Sequence, residues 1–490
     1  MGRANDRRSG IDTRGIPHPP RRVPLLGDVL GISRTTPVQD TVRLGRGLGP
    51  IYCRRFLNRE VVVITGAELM GDLADESRFA KRLAPGVAAL RLIGGDGLFT
   101  AHNDEPNWRL AHDILLPAFS QSAMRAYHPT MLAATRQLIA AWDSQVDGGP
   151  VDVTPDMTKL TLQTIGLSGF GYDFGSFERA EPHPFVLAMF GALLHGMRLA
   201  FRLPVVGRLR DLGADRQFRA DVQLMTGVVD DVIRARQASG DAGTQDLLGM
   251  MLNARHPTTG EQLDPVNIRN QVITFLVAGH ETTSGALSFA LYYLAHHPEV
   301  LARAQAEVDA VWGEQDDPDP TFEQIGKLRY VRRVLDETLR LWPTAPGFAR
   351  EARQDTVLGG RYPMSAGDWV LVIAPLLHRD PVWGDNVDSF DPDRFTPERV
   401  RARPGHAYKP FGTGERACIG RQFATHEALL ALGLLLHRFE FTPDPAYQLR
   451  VTELLTFKPE GFTLRFTRRR PTPAVSLGAR VPSAGTPTPG

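Results

Sequence analysis

A run of apolar side chains with helical spacing, from about residue 265 to 297, constrains this chain more than any other feature. Asp264 is placed to act as an N-cap and Pro265 as the first helical residue. Ile268, Val272, Leu276, Gly279, Thr283, Leu287 and Leu294 recur at steps of three, four or seven, and Phe275, Leu291 and Tyr292 widen the apolar face. A helix apolar over so much of its circumference has to be buried. At ~1.5 Å per residue it is roughly 45 Å long and crosses a whole domain. The rest of the chain must therefore pack around it.

The remaining pattern agrees. From 67 to 296 nearly every segment has helical periodicity. Strand-like runs occur at 51–65, a hairpin around Leu57-Asn58-Arg59, at 356–374 as two short strands, and at 446–467. No low-complexity linker interrupts residues 20–467. The expected fold is mainly α with small β-sheets: one large helical domain over 17–467, a poorly ordered start over 1–16, and a disordered tail over 468–490, rich in Pro, Ser and Gly. A formal net charge of +1 creates no field favouring nucleic acid or acidic membranes. The basic start MGRANDRRSG is followed by no apolar segment, and no apolar run is long enough to span a membrane, so a cytoplasmic protein is expected. Two cysteines, Cys53 and Cys418, make no disulfide framework, although spacing leaves a single bridge between them open.

The second constraint is KPFGTGERACIGRQFATHEALLALGLLLH, from Lys409. Phe411 and two glycines precede Cys418, Gly420 follows it, and an apolar helix of about thirteen residues then begins. Such a loop delivers one thiolate to the N-terminal end of a buried helix, where the dipole favours negative charge. Glycines let backbone N–H groups turn onto the sulfur and let a flat cofactor approach. Arg416 has the right charge for a carboxylate on that cofactor's edge. A zinc site lacks the partner Cys/His spacing, and a Cys–His nucleophile has no cue for its base.

Three further segments carry polar groups where a packed helix does not need them. In AGHETTS, Ala278 to Ser284, the Thr282 hydroxyl can bond back to the Ala278 carbonyl and open a polar notch beside Glu281. ETLR sets Glu337 and Arg340 on one helical face. NWRLAH does the same for Trp108 and His112. Read alone, each has an ordinary structural explanation: a locally satisfied kink, a solvated ion pair, a packed aromatic.

Together with the cysteine segment they have another. The pattern Phe-x-x-Gly-x-Arg-x-Cys-x-Gly, complete at 411–420, resembles the haem-binding signature of cytochrome P-450 enzymes. The resemblance implies haem b with Cys418 as its axial iron ligand, and Arg416, Phe411, Trp108 and His112 around the cofactor. It implies that Thr282 holds dioxygen and a water, with Glu281 feeding protons. Glu337, Arg340 and the later Arg394 become a buried structural triad.

From about Pro17 to Phe466 the chain is similar to the haem domain of self-sufficient bacterial fatty-acid hydroxylases, carried by GDGLFT, ILLPAFSQ, FLVAGHETTSGALSFALYYL, LRLWPTAP, LHRDPVWGD and FKPEGF. There are departures. The chain stops where a fused reductase would begin, which implies either a separate redox partner of the ferredoxin/ferredoxin reductase or flavodoxin type, or a chain cut from a reductase fusion. The resemblance places the substrate at Arg59, Val63, Phe99, Ala278, Ala345 and Leu455. Arg59 matches the carboxylate-binding arginine, but Val63 stands where the family has tyrosine, and the segment LAPGVAALRLIGG is lean. These changes point first to a bulky polycyclic, terpenoid-like acid of specialised metabolism, and second to a medium or long fatty acid. The apolar stretch from Phe185, including Phe201, reads as an access channel for a bulky ligand. A haem-binding sensor or electron carrier is the reading from another class, and intact Glu281 and Thr282 argue against it.

Overall fold

The computed structural model describes residues 10–469 apart from 34, 58, 147–148, 201–211 and 241–245. The central helix is one uninterrupted element, Pro265–His296. The Asp264 carboxylate accepts from the N–H groups of Val266 and Asn267 at 2.9 and 3.0 Å, and Pro265 takes the first helical position. The first donors of the helix are thus satisfied without a partner helix. Val272, Leu276, Leu287, Leu291 and Leu294 are completely buried. Among the helices packed directly on this one are Val153–Phe170, Leu212–Ala238, Pro298–Trp312, Arg329–Leu341 and Arg421–Arg438. Gln121–Asp143 packs on the first and last of these. Among the described residues no helix is long and apolar enough to cross a membrane.

The helix after Cys418 is longer than the thirteen residues its pattern suggested. It runs through Gly433 to Arg438, and Leu429 to His437 are buried. Tertiary packing, including that against Pro298–Trp312, carries it past a residue of poor helix propensity.

The strands are β1 (Ile51–Phe56), β2 (Arg59–Ile64), β3 (Phe79–Arg82), β4 (Val151–Asp152), β5 (Gly347–Ala352), β6 (Thr356–Leu358), β7 (Tyr362–Met364), β8 (Trp369–Ile373), β9 (Phe439–Pro443), β10 (Val451–Glu453), β11 (Phe457–Pro459) and β12 (Thr463–Arg468). The main sheet has the order β1-β2-β8-β5-β3, with β2 and β8 parallel. The 51–65 hairpin forms as expected, with Ile51 opposite Ile64. The stretch 356–374 holds three strands rather than two. β3, β4 and β9 escape a local reading because their partners are remote: Phe79 pairs with Ala352, Val151 with Leu464, and Phe439 with Arg468.

The poorly ordered start does not extend over residues 10–16. Ile11 and Ile16 are buried against the sheet, the Gly10 N–H donates to Asp368 at 2.6 Å, and the Thr13 hydroxyl donates to Glu60 at 2.7 Å. At the other end Arg469 is still paired with Asp309 at 2.8 Å. Residues 1–9 and 470–490 lie outside the described residues. Cys53 is buried in β1 and both thiols are free, so the bridge that spacing left open is not made.

Candidate active site

The cysteine loop rests on a buried polar scaffold. Glu337 and Arg340, three apart on Arg329–Leu341, are both 0% exposed and joined by two hydrogen bonds of 2.6 and 2.7 Å. Arg340 also donates to the carbonyls of Val387 at 2.6 Å and of His378 and Ser389 at 3.1 Å. Arg394 comes within 3.6 Å of Glu337 and donates to the Trp383 and Asn386 carbonyls at 2.6 and 2.8 Å. The predicted triad is assembled, and its arginines meet carbonyls where they would otherwise be desolvated without compensation.

His378 extends the scaffold to the loop. Its Nδ1 lies 3.1 Å from the Arg340 carbonyl, and its Nε2 lies 2.9 Å from the backbone N of Lys409. Burial pushes the imidazole down to about 3, so it is neutral: Nδ1–H donates and Nε2 accepts. The Cys418 N–H then closes the loop onto the Phe411 carbonyl at 2.9 Å. Gly414 has a φ of +69°, and a Cβ there would land on the Glu76 carboxylate. Only glycine fits that turn. Cys418 is exposed and stands just ahead of the helix Arg421–Arg438. Burial raises the thiol's pKa, while the Gly420 N–H and the Arg421 charge pull the other way. A sulfur in that balance becomes a thiolate when a metal cation binds it.

At the loop two cations converge. Arg416 donates to the Ala101 carbonyl at 2.8 Å and to Asn103 at 3.2 Å, and its guanidinium lies 4.5 Å over the Trp108 ring. Trp108 stacks on His112 at 5.0 Å. Lys81 donates to the Phe99 carbonyl at 2.5 Å and sits 4.7 Å over the Phe99 ring. Burial first, and then the charge of Arg416, push the Lys81 ammonium down to about 7. Like charges desolvated side by side define a place for an anion. The sequence reading found Arg416, Trp108 and His112 but missed Lys81; its one signal was rarity, as one of five lysines among 56 basic residues.

In the central helix Ala278 is exposed and Thr282 half-buried, where the helix is otherwise largely covered. The Thr282 hydroxyl donates to the Ala278 carbonyl at 3.0 Å, the expected back-bond. The segment after Gly94 ties the two walls together: the Leu98 N–H donates to Gln271 of the central helix at 3.0 Å, while Arg416 donates to the Leu98 carbonyl at 3.3 Å. Phe99, at 38% exposed, and Ala345, exposed between buried Thr344 and Pro346, are the open side chains of their segments. Phe411 and Leu455 are half-buried.

Two expected site residues are placed elsewhere. Glu281 does not share the notch with Thr282. It is 7% exposed, and its carboxylate accepts from Lys458 at 2.9 Å and Thr456 at 3.1 Å on the hairpin of β10 and β11. Against burial, which alone would raise it, Lys458 and His280 hold this carboxyl well below the usual range. Val63 is 1% exposed and packs with Tyr52, Ile373 and Leu376 inside the sheet, so it lines no open surface. The period-two alternation explains this: Val63 points into the layer that Val61 also enters, while Arg59 on the same face is exposed only because β2 begins there. Phe201 lies outside the described residues.

The model of the cytochrome P-450 family matches residues 17–466. The chain belongs to the cytochrome P-450 family. It is 48% identical over 459 residues to a bifunctional cytochrome P-450/NADPH–P-450 reductase of Bacillus cereus, covering 93% of this chain and 42% of that protein. A Bacillus subtilis protein of the same description is 46% identical, covering 94% and 43%. A self-sufficient cytochrome P-450 monooxygenase of Phanerodontia chrysosporium is 39% identical, covering 92% and 42%. The chain thus spans about two fifths of the length of the curated relatives it matches. P-450 proteins bind haem b, and this site fits it. The exposed thiol of Cys418 heads a helix that packs on the one bearing Ala278 and Thr282, and the Lys81–Arg416 pair, with Trp108 and His112, suits the haem carboxylates.

Proposed function

We propose that this P-450 is a monooxygenase that inserts one atom of dioxygen into a C–H bond of a hydrophobic, carboxylate-bearing small molecule, the other atom leaving as water. One observation carries the reading: mid-way along a buried helix Ala278 is exposed and Thr282 half-buried, and an exposed Cys418 stands just ahead of a second helix packed on the first. Bound haem b supplies the centre at which dioxygen is reduced. Ala278 leaves room for a ligand, and the Thr282 hydroxyl offers one proton donor in an otherwise apolar wall. Electrons come from a flavin or iron–sulfur partner.

For the substrate, Arg59 is the cation we assign to the carboxylate, Phe99 and Leu455 line the path, and a medium or long fatty acid is the favoured class. Val63 no longer weighs against it, because a side chain in the sheet core contacts no ligand. A bulky polycyclic acid remains a second reading, favoured by the small exposed side chains of Ala278 and Ala345. Reduced, carbonylated protein should show the thiolate-type Soret band, and Cys418→Ala should lack it. Titration with dodecanoic acid should shift the haem to high spin, and turnover with a ferredoxin system should hydroxylate it. A shift with a polycyclic acid alone reverses the substrate order, whereas binding without any product would make the protein a haem carrier or sensor.

A further inference from the structure

The face of the β1–β2 hairpin that carries Arg59 holds a second arginine. Residues directly opposite in an antiparallel pair share a face, and the pairs are Tyr52 with Val63, Arg54 with Val61, and Phe56 with Arg59. Arg59 is exposed where β2 begins, and Arg54 lies one pair further in, only 4% exposed. The helix Pro37–Gly45 lies over this face: Val38, Val42 and Val61 pack with Tyr52 and Val63, and the Arg54 Nη1 donates to the Thr41 hydroxyl. The first N–H groups of that helix are held by Glu453, two residues before Leu455. Arg54 therefore sits on the face that Arg59 opens, under a helix tied to the segment of Leu455.

A buried guanidinium needs several acceptors, and Arg54 has one. Among the described residues its Nε and Nη2 are buried with no hydrogen-bond partner. The guanidinium carbon stands 4.5 Å over the Phe56 ring, but stacking engages the face of the group and leaves the in-plane N–H bonds of its edge unanswered. The acids whose charge reaches it are engaged elsewhere. Asp28 accepts from Arg22 at 3.1 Å and from the Arg55 N–H at 2.7 Å, and Asp40 accepts from Arg43 and from the Ser33 N–H, both at 2.7 Å. Burial pushes Arg54 down to about 10, so it stays charged at neutral pH. The two unanswered nitrogens are the pair with which Arg340 holds the Glu337 carboxylate, at 2.6 and 2.7 Å. Their N–H bonds run side by side and match the two oxygens of one carboxylate. Arg54 thus presents a carboxylate-binding fork that no acid of the described residues meets, at a cost in free energy that an incoming acid recovers.

We propose that Arg54 seats the carboxylate of the substrate as a bidentate pair through Nε and Nη2, and that Arg59 at the rim only draws the acid in. Resting on the carboxylate reading above, this moves the head group one residue pair deeper, from a solvated cation to a desolvated one, where a charge-assisted hydrogen bond counts for more. The ligand class is an alkanoate: an anionic head for the fork, and an apolar chain that the half-buried Val38 and Val61 can flank.

The test titrates the haem-loaded protein with dodecanoic acid and, as its neutral match, dodecan-1-ol, reading the spin shift of the haem. Wild type should bind the acid at least about tenfold more tightly than the alcohol. That preference should survive about 1 M salt, because a buried pair is screened little. Arg54→Met should abolish it by weakening the acid at least about tenfold while leaving the alcohol within about twofold. Arg54→Lys, a point charge that cannot fork, should keep part of it. Arg59→Met should weaken the acid by no more than about fivefold, an effect lost in salt. A wild-type preference that is absent, or that salt removes, overturns the proposal. So does an Arg54→Met variant that weakens acid and alcohol alike, the mark of a structural arginine. The wild-type salt series decides even if Arg54→Met does not fold. No spin shift with either ligand overturns the fatty-acid reading itself, and this seat with it.

Discussion

The support of the cysteine loop and the middle of the central helix are built on opposite principles. Beside the loop, Glu337, Arg340, both nitrogens of His378 and the terminal nitrogens of Arg394 meet short contacts, only Arg394 Nε standing off at 3.6 Å from Glu337, and the chain of contacts reaches the loop backbone at Lys409. In the central helix, Thr282 has only its local back-bond among the described residues, Ala278 is exposed, and Glu281 is held by a lysine on a hairpin. If Cys418 holds the haem iron, as proposed, it gains from over-determination, because a densely bonded buried network permits few alternatives. A wall that must admit a ligand and move protons has to keep contacts that break at low cost.

The sharpest way to break this contrast is Arg340→Leu. It strands the buried Glu337 carboxylate and three carbonyls, and should cost about 3–5 kcal/mol, read as a lower denaturant midpoint with loss of haem. His378→Leu is next. It removes an acceptor from the Lys409 N–H and a donor from the Arg340 carbonyl, at about 1–3 kcal/mol for each group left unmet. Its diagnostic is a shifted Soret band in protein that still folds.

Glu427, on the cysteine helix, refines the contrast by pH. Among the described residues both its oxygens are buried without a well-formed hydrogen bond; burial pushes it up to about 8 from 4.5, with the nearby Thr164 hydroxyl pulling weakly the other way. Between those values the folded protein holds a proton that the unfolded chain has lost. This group's contribution is therefore whole below pH 4.5 and falls as pH rises, by at most about 1.4 kcal/mol per unit. Urea midpoints of Glu427→Gln should decline less over that range than wild type; equal slopes would mean the carboxyl is solvated. The smallest stability effect belongs to Thr282→Ala, within about 0.5 kcal/mol for a substitution with no buried partner to strand. Its signature is functional: more peroxide and less product per electron, and unchanged product would remove Thr282 from proton delivery.

Much of this was legible in the chain. The central helix, its Asp264 cap, the cysteine loop and the Glu337–Arg340 pair are local patterns, and a period or spacing specifies them wherever they sit. Thr282 was predictable for the same reason, since its partner Ala278 is one turn away. What failed was long-range. Lys458 lies 177 residues from Glu281, so an acid read as facing the notch is engaged on the hairpin. Val63 was read as a pocket residue, but its face is decided by strand β8, which pairs from far along the chain.

The sequence by itself determined that a buried helix crosses the domain and that one cysteine heads a helix behind a glycine turn, in a motif that resembles the haem-binding signature of the family. Each of these depends on side chains within a few turns of one another. Only the tertiary structure decided that Lys81 joins Arg416, that His378 links the triad to the loop, and that Glu281 faces Lys458 rather than Thr282. Those pairings join segments that meet only when sheet and helices pack, and burial then makes a charge or hydrogen bond count for more than its place in the chain suggests.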